Sequence, residues 1–177
     1  MINKLLQISL FFIIVTSVNA QNIRNDLRTF ASEIENLKYT TEKFDQHEDF
    51  ISLRFDFLVR RTNISSLFLD DSSVKILLIS GDQIVITPET KLISHVEVYE
   101  SLKWILMTGK HKYKSATLEH QSKARTLVKR ASEDQLPRQL GTAQSVWSSI
   151  NSWSSIASNC KFELTNKKSS IKLKEQH

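Results

Sequence analysis

From Asn22 to Phe44 the positions Ile23, Leu27, Phe30, Ile34, Leu37, Thr41 and Phe44 recur at alternating intervals of four and three. That spacing places one side chain per turn on a single helical face. The stretch is therefore expected to be a helix with a seam. Asn22 or Asn25 would cap it by accepting from an orphan backbone N–H, and Asp26 would favour the positive end of its dipole. The period then changes to two: Ile51, Leu53, Phe55, Phe57 and Val59 alternate with Ser52, Arg54 and Asp56, which predicts one strand with a buried face. That face needs a cover. The helix is expected to provide it, since Thr41 and two phenylalanines in the seam make only a modest coiled-coil pattern.

Further along, Val74 to Ile79 and Ile84 to Thr87 flank Ser80-Gly81-Asp82-Gln83 and read as a hairpin that Pro88 stops. Leu92 to Tyr99 continues in the same style. Leu102 to Met107 fits either period, through Leu102, Trp104 and Leu106 as a strand or through Val98, Leu102, Ile105 and Leu106 as a helix, and is assigned to a strand. Ser115 would cap a helix to about Ala131, with Thr117, His120, Ala124, Leu127, Val128 and Ala131 as its stripe. Residues 132–141 contain Pro137 and Gly141 and form the best linker. Beyond them Ala143, Val146, Trp147, Ile150, Trp153, Ile156, Ala157 and Cys160 keep helical spacing behind Thr142 as N-cap. Lys161 to Thr165 and Ser170 to Lys174 would close the chain as a hairpin.

This order predicts an α+β fold: an N-terminal amphipathic helix packed on a mainly antiparallel sheet, with two later helices and a C-terminal strand pair. No motif carries a family resemblance. The element order alone is similar to the cone-shaped nuclear-transport-factor-like architecture, from which the two late helices depart, and it implies no function.

The segment before the first helix changes the picture of where the protein works. Residues 1–20 carry Lys4, a largely apolar run from Leu5 to Val15, and Val18 and Ala20 as small residues before a cut. Such a run is too short to cross a bilayer core of about 30 Å, so it reads as a signal peptide, leaving 21–177 as a single α+β domain. No later stretch is long and apolar enough to span a membrane. A secreted or extracellular location follows, or a periplasmic one in a bacterium. In that compartment the single cysteine, Cys160, either lies buried or bridges a homodimer, and the first helix offers a second route to a dimer. Asn63-Ile64-Ser65 is a glycosylation acceptor in a polar surface stretch, so Asn63 is a candidate for a sugar in a eukaryote.

Charge adds an asymmetry. Gln21 to Glu100 holds nine basic and fourteen acidic residues, while Ser101 to His177 holds fourteen basic and five acidic. The basic half could attract an anionic partner, or the halves could neutralise one another on folding. Lys110-His111-Lys112-Tyr113-Lys114, if extended, sets Lys110, Lys112 and Lys114 on one face about 7 Å apart. Lys123, Arg125, Lys129 and Arg130 would extend the patch along the flanks of the following helix. Such a row suits a polyanion, either a sulfated polysaccharide or an acidic surface; it also suits an edge strand guarded against aggregation.

Catalytic chemistry finds little support. Gly81, Gly109 and Gly141 are the only glycines and are too scattered for a phosphate-cradling loop or a dinucleotide fingerprint, and no cofactor motif is present. Asp45, His47, Glu48 and Asp49, or His95 with Glu97, match no established metal-ligand pattern. The dibasic pairs Arg60-Arg61 and Lys129-Arg130 could mark processing, although the chain beyond them keeps core-like periodicity. Three readings remain: a processed peptide precursor, a small secreted non-enzymatic interaction protein binding an anionic partner through its basic C-terminal half, or a small-ligand-binding or hydrolase-like pocket protein. The pocket would have its cavity between the first helix and the sheet, with His95, Glu97 or His120 in it.

Overall fold

The computed structural model describes residues 2–43 and 50–166. In chain order the elements are α1 (Ile2–Glu35), β1 (Tyr39–Lys43), β2 (Phe50–Arg54), β3 (Phe57–Arg60), β4 (Ile64–Leu69), β5 (Val74–Leu78), β6 (Gln83–Pro88), α2 (His95–Thr108), β7 (Lys110–Lys114), α3 (Leu118–Glu133), α4 (Pro137–Ile150), α5 (Trp153–Ala157) and β8 (Cys160–Thr165). The fold is α+β with antiparallel sheets. They are a ribbon of β1 and β7, a hairpin of β2 and β3, and a four-stranded sheet in the order β4-β5-β6-β8.

The seam of α1 is realised through Ile23, Leu27, Phe30 and Ile34, all buried. The helix stops at Glu35 rather than Phe44. Asn36 Nδ2 donates to the Ser32 carbonyl at 3.0 Å, meeting one of the carbonyls a helix end leaves over, and the aromatic and β-branched run Tyr39-Thr40-Thr41 then pairs as a strand. Phe44 and the Asp45–Asp49 cluster lie outside the described residues. The closest partners of α1 are α4 and α3, while the four-stranded sheet is covered by α2.

The alternating run from Ile51 to Val59 is a hairpin, not one strand. Arg54 grips Asp56 through Nε to Oδ1 at 2.5 Å and Nη2 to Oδ2 at 2.7 Å, and its guanidinium lies 4.7 Å from the Phe162 ring centroid. That clamp turns the chain at Phe55-Asp56, leaving Phe55 95% exposed at the tip while Ile51, Leu53 and Val59 stay buried. The expected hairpin of β5 and β6 forms, with Gly81 in the turn at φ +88.

The stretch assigned to strands from Leu92 to Met107 is helical from His95 onward, with Leu92 to Ser94 leading into it. The Glu97 N–H donates to Ser94 Oγ at 3.3 Å and the Ser94 N–H donates to Glu97 Oε2 at 2.8 Å, a capping box that starts α2. Val98, Leu102 and Ile105 then share its buried face, and Gly109 ends it in the left-handed region at φ +66. α3 begins after Thr117, two positions beyond the expected cap Ser115, because the Thr117 hydroxyl accepts from the His120 N–H. The expected linker 132–141 shrinks to residues 134–136, since α3 continues to Glu133 and Pro137 occupies the first turn of α4, where its missing N–H costs nothing. The last apolar stripe divides between α4 and α5, with Ser152 capping α5, and Cys160 opens β8 beside β6. The second arm expected at Ser170 to Lys174 lies outside the described residues. Buried side chains from helices and sheets belong to one core cluster. Among the described residues no helix is long and apolar enough to cross a membrane.

Candidate anion-binding face

β7 carries Lys110, Lys112 and Lys114, and its antiparallel register with β1 sets Lys110 opposite Lys43, Lys112 opposite Thr41 and Lys114 opposite Tyr39. Directly opposite residues share a face, so these six side chains form one side of the ribbon. None of them is acidic. Lys43, Lys110 and Lys112 are exposed, and the Lys112 ammonium sits 3.9 Å from the Tyr39 ring centroid, where the ring's negative face attracts it. Register therefore adds Lys43 and Tyr39 to the row, which only knowledge of the β1–β7 pairing could have shown.

Lys114 is corrected out of the row. It is 8% exposed, and its Nζ donates to the carbonyls of Glu35 at 2.8 Å and Leu37 at 3.2 Å. These lie at the C-terminal end of α1, whose last turn has no basic residue of its own, so Lys114 acts as the missing cationic cap.

The residues on α3 divide similarly. Lys123 pairs with Glu33 at 2.8 Å, Arg130 with Asp26 at 2.7 Å and Lys129 with Glu133 at 3.8 Å. Arg125 is exposed and has no ion pair among the described residues. Two of these pairs join α3 to α1, so part of the charge asymmetry along the chain is neutralised by folding.

The opposite face of the ribbon points inward. His111 is buried with Nε2 3.2 Å from the Asn151 carbonyl, and burial holds its pKa below the ordinary value despite that contact. A cleft of about 390 Å³ opens nearby between β1, the β2–β3 hairpin and α5, lined by Glu42, Arg54, Phe55 and Trp153. Glu42 Oε2 is buried there without a hydrogen-bond partner. This is not the cavity anticipated under the first helix. The α1 seam is packed, Glu97 and His120 close the capping boxes of α2 and α3, and Trp147 and Trp153 are each 2% exposed in the core. Among the described residues no group of three or more His, Cys, Asp or Glu could hold a metal ion.

Neither proposed dimer route is open. Cys160 is 1% exposed, its Sγ lies 3.6 Å from the Ile156 carbonyl, and burial pushes its pKa up to about 12, so it stays a protonated core thiol. The α1 seam is consumed by the protein's own core. Asn63 stands exposed at the end of a short 3-10 turn, Arg61–Asn63, before β4. Lys129-Arg130 lies inside α3, where helical backbone does not present the extended segment that processing needs. No family model matches the chain, and neither a curated protein nor a solved structure matches it.

Proposed function

We propose that the protein is an exported, non-enzymatic interaction protein that binds a polyanion, a sulfated polysaccharide, through the lysine face of the β1–β7 ribbon. The observation that supports this reading is the cluster of Lys43, Lys110 and Lys112 beside Tyr39, in which no lysine has an ion pair among the described residues. Most other candidate cations of the C-terminal half are ion-paired or buried. Lys43 directly opposite Lys110 is a like-charge pair, which costs a ribbon stability, and an anion between them removes the repulsion. Successive lysines on one strand face, about 7 Å apart, suit regularly spaced anionic groups. Lysines alone also guard a sheet edge, but a guard needs neither the aromatic platform nor two cations in register.

The test is elution of the purified protein from an immobilised sulfated polysaccharide in a salt gradient. Retention should weaken steeply with salt, and Lys43→Gln, Lys110→Gln and Lys112→Gln should each lower the salt slope by about one. Retention that ignores salt, or that all three variants leave intact, overturns the reading. Export and a sugar on the exposed Asn63 belong to the same proposal, and intact-mass measurement of the secreted product checks both.

A further inference from the structure

A second cationic site stands apart from the ribbon. We infer that the cleft between α1 and α4 binds a tetrahedral oxyanion, the phosphate or sulfate group of a ligand, through Arg24, Arg28 and Arg138. The cleft has a volume of about 450 Å³, and these three arginines line it together with Gln139 and Thr142. No acidic residue lines it. None of the three has an ion-pair partner among the described residues, and all are exposed.

The two flanks of α1 make the comparison that carries the inference. On the flank facing α3, Asp26 meets Arg130 and Glu33 meets Lys123, so every cation there has its carboxylate. On the flank facing α4, Arg24 and Arg28 stand at i and i+4, a like-charge pair that disfavours the helix, and α4 answers them with a third arginine. α4 has no acidic residue in its first turn and no side-chain cap at its N-terminus, so its dipole adds positive potential beside Arg138. A helix interface that is charge-matched on one side and three cations in excess on the other is completed by an anion from outside. Guanidinium forks match the oxygens of phosphate and sulfate in bidentate geometry, which lysines would not do. The site shares no residue with the ribbon and does not depend on it.

The probes are inorganic phosphate, sulfate and a sulfated disaccharide, each titrated against the protein by calorimetry and by thermal unfolding, with sodium chloride at matched ionic strength as the screening control. At least one oxyanion should bind saturably and raise Tm beyond the chloride control, and the disaccharide arm decides between a free anion and a saccharide ester as its source. Arg28→Gln and Arg138→Gln should each weaken binding about tenfold or more while leaving unliganded Tm close to that of the wild type, because both side chains are exposed. Lys110→Gln with Lys112→Gln should leave this binding intact. Three results overturn the inference: Tm shifts that chloride reproduces, affinity unchanged in the arginine variants, or binding lost in the lysine variants.

Discussion

Lys114 shows how one residue can belong to a pattern by spacing and to something else by position. Strand alternation puts it in line with Lys110 and Lys112, yet its ammonium reaches back to the end of a helix 79 residues earlier in the chain. Two charge-assisted hydrogen bonds and the negative end of the α1 dipole hold it, while its stem is buried. Replacing it with methionine keeps the stem and removes the charge, leaving the Glu35 and Leu37 carbonyls without that donor. Lys114→Met should lose about 2–4 kcal/mol of stability in denaturant unfolding. The folded variant should elute from an immobilised polyanion with the wild type. Lost retention at full stability would return Lys114 to the binding face.

At the scale of elements, α2 carries a charge whose burial is legible in its titration. Glu97 accepts from the Ser94 N–H with Oε2, its other oxygen Oε1 is buried, and desolvation raises its pKa above the ordinary 4.5 despite the opposing hydrogen bonds of Ser94 and Ser148. The folded state therefore prefers the protonated acid. Its contribution is fully present below 4.5 and is lost as pH rises through the raised folded value. Glu97→Gln keeps the reach back to the Ser94 N–H without the ionisation, so thermal melts should show this decline in the wild type and not in the variant, with the variant more stable at neutral pH. Equal pH profiles would sink the argument.

The same helix marks where the sequence could be read and where it could not. The seam of α1, the β5–β6 hairpin and the buried stripe of α3 were legible because each repeats its period over several turns or is punctuated by a turn signal. Leu102 to Met107 was not, since its apolar residues satisfy both periods, and the deciding signal, Ser94 three residues before Glu97, lay upstream of the ambiguous run. The β2–β3 hairpin escaped for a different reason: period two survives on both arms, and the turn is made by the Arg54 clamp on Asp56 rather than by glycine, asparagine or proline. In the candidate site, Lys110 and Lys112 were legible as alternation. Lys43 and Tyr39 join them only through pairing between distant strands, and which cations would be neutralised depended on how α1 packs on α3.

That packing shapes the electrostatic field of the whole molecule. Asp26 and Glu33 are the carboxylates through which α1 restrains the basic flank of α3, holding Arg130 and Lys123. Exposed pairs of this kind contribute little to stability, typically under about 1 kcal/mol each, because solvent screens them. Their larger effect is on the field, for without them two more cations face outward and the positive surface grows. Asp26→Asn with Glu33→Gln should therefore cost at most about 2 kcal/mol in unfolding free energy and move elution from an immobilised polyanion to higher salt. The direction matters more than the size. Later elution means that α3 lies within reach of the bound polyanion and that these pairs limit its hold, whereas unchanged elution confines binding to the ribbon and leaves the α1–α3 pairs as links between helices alone.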